Sequence, residues 1–281
     1  MNIEQNIIGD WYIVRKIAPD VFWIKEPGLV SFYLFKNQSN GLFIDTGLGL
    51  SKSAFIFLTQ HFGIKKYEVI CTHAHSDHTG LNSFASECKL SRTEWEKYRA
   101  QNEDQQLGYV LEQLVADNST PSILNKSGNS IVGNLEWKPS GYLQNGNVYH
   151  FHNWSFDVYE TPGHTSGSLT FHEKSLNFIF VGDLIYDGTM YLHLKDSNIE
   201  DFSHSLNTLI SIIENNPGIK VWPAHNSIPL DANFITNTKS VLSLISMGLL
   251  KSNQIIPKDK IFEEGRLFKH GSIKLITRSI C

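Results

Sequence analysis

Cysteine is scarce in this chain: Cys71, Cys88 and Cys281 are the only three in 281 residues. An odd number so widely spaced builds neither a disulfide framework nor a C-x-x-C zinc site, and the expected setting is a reducing cytoplasm. Positive charge is not in excess either. Lys and Arg number 24 against 28 Asp and Glu, a net charge of -4, so no nucleic-acid partner is expected. No run approaches the roughly 18 consecutive apolar residues of a membrane span. The opening MNIEQNIIGDWYIVRK has neither the basic flank nor the apolar stretch of a secretory signal. No repeat of fixed period is present. What the chain does have is 41% hydrophobic and 12% aromatic residues, ample for a buried core.

Read along its length, the chain begins with short runs rich in β-branched and aromatic residues. WYIVRKI, VFWIKE, LVSFYLFK and GLFIDTG are broken by Pro-Asp, Pro-Gly and Asn-Gln-Ser-Asn-Gly turns, which predicts strands. SKSAFIFLTQHFG then has helical spacing, with Ser51 to cap it and Gly63 to stop it. YEVICTH follows as a short buried strand. Residues 93–117 are polar and helical in pattern, and 118–146 are rich in Ser, Asn, Gly and Pro, so residues 93–146 are expected to form a helical and loop insertion: a lid, a homodimer contact or both. Strands resume in VYHFH, SFDVYET, SLTFHE and LNFIFVGD. A helix near 201–214, a strand KVWPAH and a helix around 232–250 complete an α/β pattern, one domain over residues 1–281.

One segment demands an explanation. Cys71-Thr-His-Ala-His-Ser-Asp-His-Thr-Gly80 puts His73, His75, Asp77 and His78 into six residues at the carboxyl end of a strand, where a loop would display them. His73 and His75 can turn to one side and Asp77 and His78 to another, so one peptide can serve two metal ions. Further candidates stand in similar contexts. His164 lies in the Pro/Gly turn TPGHTSGS; Asp183 ends the apolar run LNFIFVGD, where an unpaired carboxylate is costly; and His225 ends the strand of VWPAH. Imidazole and carboxylate donors without thiolate suit zinc, with iron or manganese also compatible. The His150 and His152 pair has no nearby carboxylate and reads as ordinary strand residues; Cys71 reads as core.

His73-x-His75-x-Asp77-His78 followed by His164, Asp183 and His225 resembles the metallo-β-lactamase fold superfamily over roughly residues 10–230. The resemblance implies a four-layer αβ/βα sandwich. It implies one ion on His73, His75 and His164, a second on Asp77, His78 and His225, Asp183 bridging them, and Asp45 supporting the metal loops without binding metal. The implied cofactors are two Zn2+ ions. They would share a water of lowered pKa, and the resulting hydroxide, oriented by Asp77, would attack a carbonyl. One departure is visible: the family usually has two glycines after the Asp-His-x step, whereas Gly80 is followed by Leu81.

Val21-Phe-Trp-Ile-Lys-Glu26, Ile44-Asp-Thr-Gly-Leu-Gly-Leu50, Val181-Gly-Asp-Leu-Ile-Tyr-Asp-Gly188 and the ending Ser279-Ile-Cys281 look like the metallo-β-lactamase-domain-containing protein 2 group. That group is described as acyl-coenzyme A thioesterases. A thioester substrate is therefore implied, with Tyr186 and Tyr191 either lining its pocket or simply packing. Lipidation of Cys281 would add weak membrane attachment. Other small-molecule substrates use the same centre. TPGHTSGSLTF favours a glyoxalase II-like hydroxyacylglutathione hydrolase, but no thiol-binding C-terminal domain is evident. A lactonase or β-lactamase is a further alternative, although a periplasmic lactamase would carry a signal. An iron-dependent oxidoreductase of this fold would have glutamate in place of His75.

Overall fold

The aromatic and β-branched runs of the first fifty residues form an antiparallel meander in the computed structural model, which describes residues 5–9, 11–26, 30–100, 136–258 and 262–278. Most of the expected insertion and Cys281 lie outside the described residues. Residues 1–143 and 144–281 make two units, taken in turn.

In the first unit β1 (Gln5–Ile8), β2 (Tyr12–Ala18), β3 (Val21–Lys25), β4 (Ser31–Asn37) and β5 (Asn40–Ile44) pair antiparallel in chain order. The β4–β5 turn is tight because Gln38 takes a left-handed φ of 52°. Helix α1 (Lys52–His61) then crosses over, so β6 (Lys66–Ile70) joins β5 in parallel. Its start is capped as the sequence indicates: Ser51 Oγ accepts from the Ala54 amide at 3.2 Å. Gly63, at φ 64°, ends it. A one-turn helix α2 (Ser76–Thr79) and a 3₁₀ turn (Asn82–Phe84) lead to β7 (Glu87–Leu90), helix α3 (Arg92–Ala100) opens the insertion, and β8 (Gly141–Tyr142) closes an eight-stranded sheet. Asp77 and His78 therefore sit on a helical turn rather than in the expected loop, since His78 N donates to His75 O at 3.0 Å.

Alternating residues of the meander face a core in which Phe43 packs edge-on against Tyr67 at 5.3 Å and tilts against Phe55 of α1 at 5.9 Å. Burying each such ring contributes on the order of 2–3 kcal/mol. This core holds the ends of β5 and β6 rigid, and the chemistry-bearing residues extend from those ends.

The second unit begins with β9 (Val148–Phe151), β10 (Trp154–Glu160), β11 (Leu169–Glu173), β12 (Phe178–Gly182) and β13 (Thr189–Leu192). Helix α4 (Ile199–Asn215) starts where Asn198 Oδ1 accepts from the Glu200 and Asp201 amides at 2.8 and 3.1 Å. It returns the chain to β14 (Lys220–Pro223), parallel to β12, giving the sheet order β14-β12-β11-β10-β9. Phe202, Leu206, Leu209 and Val221 are buried in the core of this unit. Helix α5 (Ala232–Ser246) stops before the expected boundary near 250, at Gly248 with φ 69°.

After α5, β15 (Gln254–Ile256), β16 (Gly265–His270) and β17 (Ile273–Thr277) form a second sheet with β13, in the order β13-β17-β16-β15. No strands are expected there from the sequence. Each strand is short, and the pairing of β13 with β17 joins segments far apart in the chain. His152 lies in the β9–β10 turn at φ 50° rather than in the strand where it was expected. Among the described residues no helix is long and apolar enough to cross a membrane. Mixed sheets with flanking helices make the architecture α/β, as expected.

Candidate metal centre

In the first unit β5 and β6 end side by side, and Asp45 N donates to Ile70 O at 3.1 Å. Asp45 is buried, and its φ of 59° turns the carboxylate across to the neighbouring chain end. Its Oδ1 accepts from the Thr72 amide at 2.7 Å, and its Oδ2 accepts from Thr72 Oγ1 at 2.7 Å and His78 Nδ1 at 2.8 Å. A carboxylate only accepts, so Nδ1 of His78 carries the proton and Nε2 the lone pair. Thr72 gives its hydroxyl proton to Asp45 and so accepts from His73 Nδ1 at 3.1 Å, which leaves the lone pair of His73 on Nε2.

His73 Nε2 stands 3.0 Å from His75 Nδ1. Two imidazole nitrogens that close suit two ligands converging on one cation. Asp77 Oδ2 and His78 Nε2 approach to 3.7 Å. The backbone that carries them is stitched from both sides. Ala74 N, between the two histidines, donates to Glu94 Oε2 at 2.9 Å. Thr46 N donates to His78 O at 2.8 Å, and Gly80 N to Gly47 O at 2.9 Å. Leu81 is buried, and its amide donates to Thr46 Oγ1 at 3.1 Å. The residue that departs from the family pattern thus leads into the 3₁₀ turn that follows the 73–78 segment.

In the second unit three further donors come together. His164 follows Gly163, whose φ of 145° and closeness to Phe202, where a Cβ would lie 2.5 Å from Cα, admit no side chain. Nδ1 of His164 donates to the Tyr191 carbonyl at 3.0 Å, so its Nε2 carries the lone pair. Asp183 follows β12 and His225 follows β14, and Ala224 N donates to Gly182 O at 3.0 Å to hold those two strand ends together. Asp183 Oδ1 lies 3.1 Å from His225 Nε2, and Oδ2 lies 3.6 Å from His164 Nε2. One carboxylate thus offers one oxygen toward each imidazole.

Tyr186, weighed in the sequence as pocket lining or packing, tilts its ring against His225 at 5.3 Å and donates its hydroxyl to Thr189 O at 2.7 Å. His150 bonds Ser155 at 3.0 Å, away from either donor set. Thr72, Glu94 and the Tyr191 carbonyl were not singled out from the sequence. Glu94 lies in a polar helix resembling any solvated one, and a main-chain carbonyl has no sequence signature. Cys71 is buried beside Cys88, Sγ to Sγ 3.8 Å, and burial pushes its thiol well above the usual range, so it is inert core.

Every donor in both sets is an imidazole nitrogen or a carboxylate oxygen. Three of the histidines have Nδ1 engaged as a donor, the usual way a protein presents Nε2 to a divalent metal. The residues fit such an ion. The chain belongs to the metallo-β-lactamase superfamily, whose family pattern matches residues 26–225, and is a hydrolase of that fold.

Within that class it is similar to acyl-coenzyme A thioesterase MBLAC2. The Homo sapiens protein is 26% identical over 231 residues, and the Gallus gallus protein 24% over 228; each alignment covers 77% of this chain and 81% of the relative. Among solved structures, the metallo-β-lactamase family protein TTHA1429 from Thermus thermophilus matches with a TM-score of 0.60 at 20% identity, covering 85% of both chains. The B3 metallo-β-lactamase BLEG-1 matches at 0.55 and 18%, covering 77% of this chain and 96% of its own. These structural likenesses concern the fold.

Proposed function

We propose that this chain is a metal-dependent thioesterase acting on acyl-coenzyme A. By the pattern of the family, His73, His75 and His164 would hold one divalent ion, Asp77, His78 and His225 would hold a second, and Asp183 would serve both. The observation that carries the reading is Asp183, with one oxygen 3.1 Å from His225 and the other 3.6 Å from His164. The family match from residue 26 to 225 runs across both units and supports their acting as one domain. Zinc is the proposed metal because the donors are imidazole and carboxylate.

When bound, such ions supply a water of lowered pKa and polarise a carbonyl oxygen. The protein's own part is orientation and proton handling. Asp77, near the start of α2, would orient the attacking water and accept its proton. Asp45 keeps the lone pair of His78 on Nε2, and Tyr186 packs against the His225 ring. The acyl carbon then loses its sulfur substituent. A thiolate departs without a strong general acid, so the reaction needs no carboxylic acid beside the leaving group. The names of the relatives support a coenzyme A thioester in particular.

The test is release of free thiol from acyl-coenzyme A of several chain lengths and from lactoylglutathione, using protein of measured zinc content, with a lactone and a β-lactam assayed alongside. Chelator-sensitive cleavage of acyl-coenzyme A is the expected result. Cleavage of lactoylglutathione, the lactone or the β-lactam alone would overturn the substrate assignment.

A further inference from the structure

Glu26 is fully buried, yet among the described residues no Lys or Arg stands as its hydrogen-bond partner. A carboxylate held out of water costs several kcal/mol unless donors surround it. Here the donors are backbone and indole N–H groups. Oε2 accepts from Leu48 N at 2.6 Å, and Oε1 accepts from Trp11 Nε1 at 3.2 Å and Leu50 N at 3.3 Å. The amides of Leu48 and Leu50 therefore converge on one side chain, as main-chain N–H groups hold an anion.

The turn so held touches the ligand segment on its other side. Thr46 N donates to His78 O, and Gly80 N donates to Gly47 O. Thr46 Oγ1 donates to Asn82 Oδ1 at 2.8 Å and accepts from Leu81 N. Gly49 and Gly80 pack backbone to backbone: a Cβ on Gly49 would lie 2.5 Å from Gly80 O, and one on Gly80 would lie 2.2 Å from Leu48 C. With no side chain between them, a shift of the turn is passed directly to the helical turn that carries Asp77 and His78.

We propose that Glu26 is a positioning residue for the metal centre: its carboxylate sets the turn at residues 46–50, and that turn sets the backbone from which Asp77 and His78 project. The inference rests on the metal-centre reading above. It accounts for a costly buried charge at a place where neutral side chains would pack more cheaply. Burial raises the Glu26 carboxyl from 4.5 to about 7 against the pull of its donors, so the group carries a stability cost near neutral pH.

The experiment compares the full chain with Glu26→Gln. Gln keeps the shape but replaces one acceptor oxygen with an NH2 group that cannot accept from Leu48, Leu50 or Trp11. Zinc affinity is read by competition with a chromophoric chelator, and kcat and KM are measured on the thioester that the wild type cleaves. Melting of the metal-free protein is followed separately. The expected result is a loss of zinc affinity of about tenfold or more, with kcat reduced and KM little changed. A merely structural role would lower the melting temperature while the folded protein kept its affinity, and that outcome overturns the inference. If Glu26→Gln does not fold, Trp11→Phe removes a single donor and should weaken zinc binding in the same direction; unchanged affinity in that variant overturns the inference too. Wild-type protein that binds no divalent ion overturns the metal-centre reading and this inference with it, whereas tight wild-type binding with an equal Glu26→Gln overturns only the inference.

Discussion

Asp45 Oδ2 lies 2.8 Å from Nδ1 of His78, with both side chains buried. The pair decides which nitrogen of His78 carries a lone pair, and through Thr72 the same carboxylate decides it for His73. Asp45→Asn keeps the volume but presents an amide NH2 to one of these partners. Zinc affinity is expected to fall about 10–100-fold with the fold retained, read by chelator competition and circular dichroism. Wild-type affinity in this variant would mean the tautomers are set by something else.

Asp183 offers an oxygen to each of two histidines, so its loss should be felt by both proposed ions. Asp183→Ala and His75→Ala are expected to lower kcat by more than about a hundredfold while leaving far-UV circular dichroism unchanged. Near wild-type turnover by Asp183→Ala protein of verified metal content would sink the shared-carboxylate role.

Gly80 has no room for a side chain, since a Cβ there would lie 2.2 Å from both C and O of Leu48. Gly80→Ala should destabilise the chain by about 1–3 kcal/mol in urea unfolding, because rigid backbone rather than a side chain must yield. It should also weaken zinc binding. A variant as stable as the wild type would show that the two segments separate freely.

Glu26 makes stability depend on pH in a direction opposite to that of most carboxylates. Its folded-state pKa of about 7 stands above the ordinary 4.5, so between those values the folded chain keeps a proton that the unfolded chain has released. Stability from this group is therefore fully present below about 4.5 and declines as pH rises through 7, by about 3 kcal/mol in all. Urea unfolding of metal-free wild type and Glu26→Gln from pH 5 to 8 should show the variant gaining relative to the wild type as pH rises. Parallel profiles would mean that Glu26 titrates normally in the fold.

Much of the architecture was legible in the sequence because it is local. The meander strands, the Ser51 cap, the Gly63 stop and the strand endings before His73, Asp183 and His225 each follow from a short pattern. The last sheet was not legible. Its strands are brief, and β13 finds its partner β17 more than eighty residues along the chain. The helical turn at Ser76–Thr79 was also missed, as four polar residues carry no apolar period to announce it.

The sequence by itself determined the donors: which residues are imidazoles and carboxylates, and that four of them stand close enough to act together. Ligand chemistry needs those side-chain types, and spacing along six residues cannot be undone by folding. Only the tertiary structure decided how the donors are held. The bonds that select the lone pairs of His73 and His78, and those that bind the neighbouring turn to Glu26, join residues such as Asp45 and Thr72, Asp45 and His78, or Glu26 and Leu48, which lie 27, 33 and 22 apart in the chain. Buried polar groups must find partners wherever the fold brings them together, and no local pattern in the sequence records which partner that is.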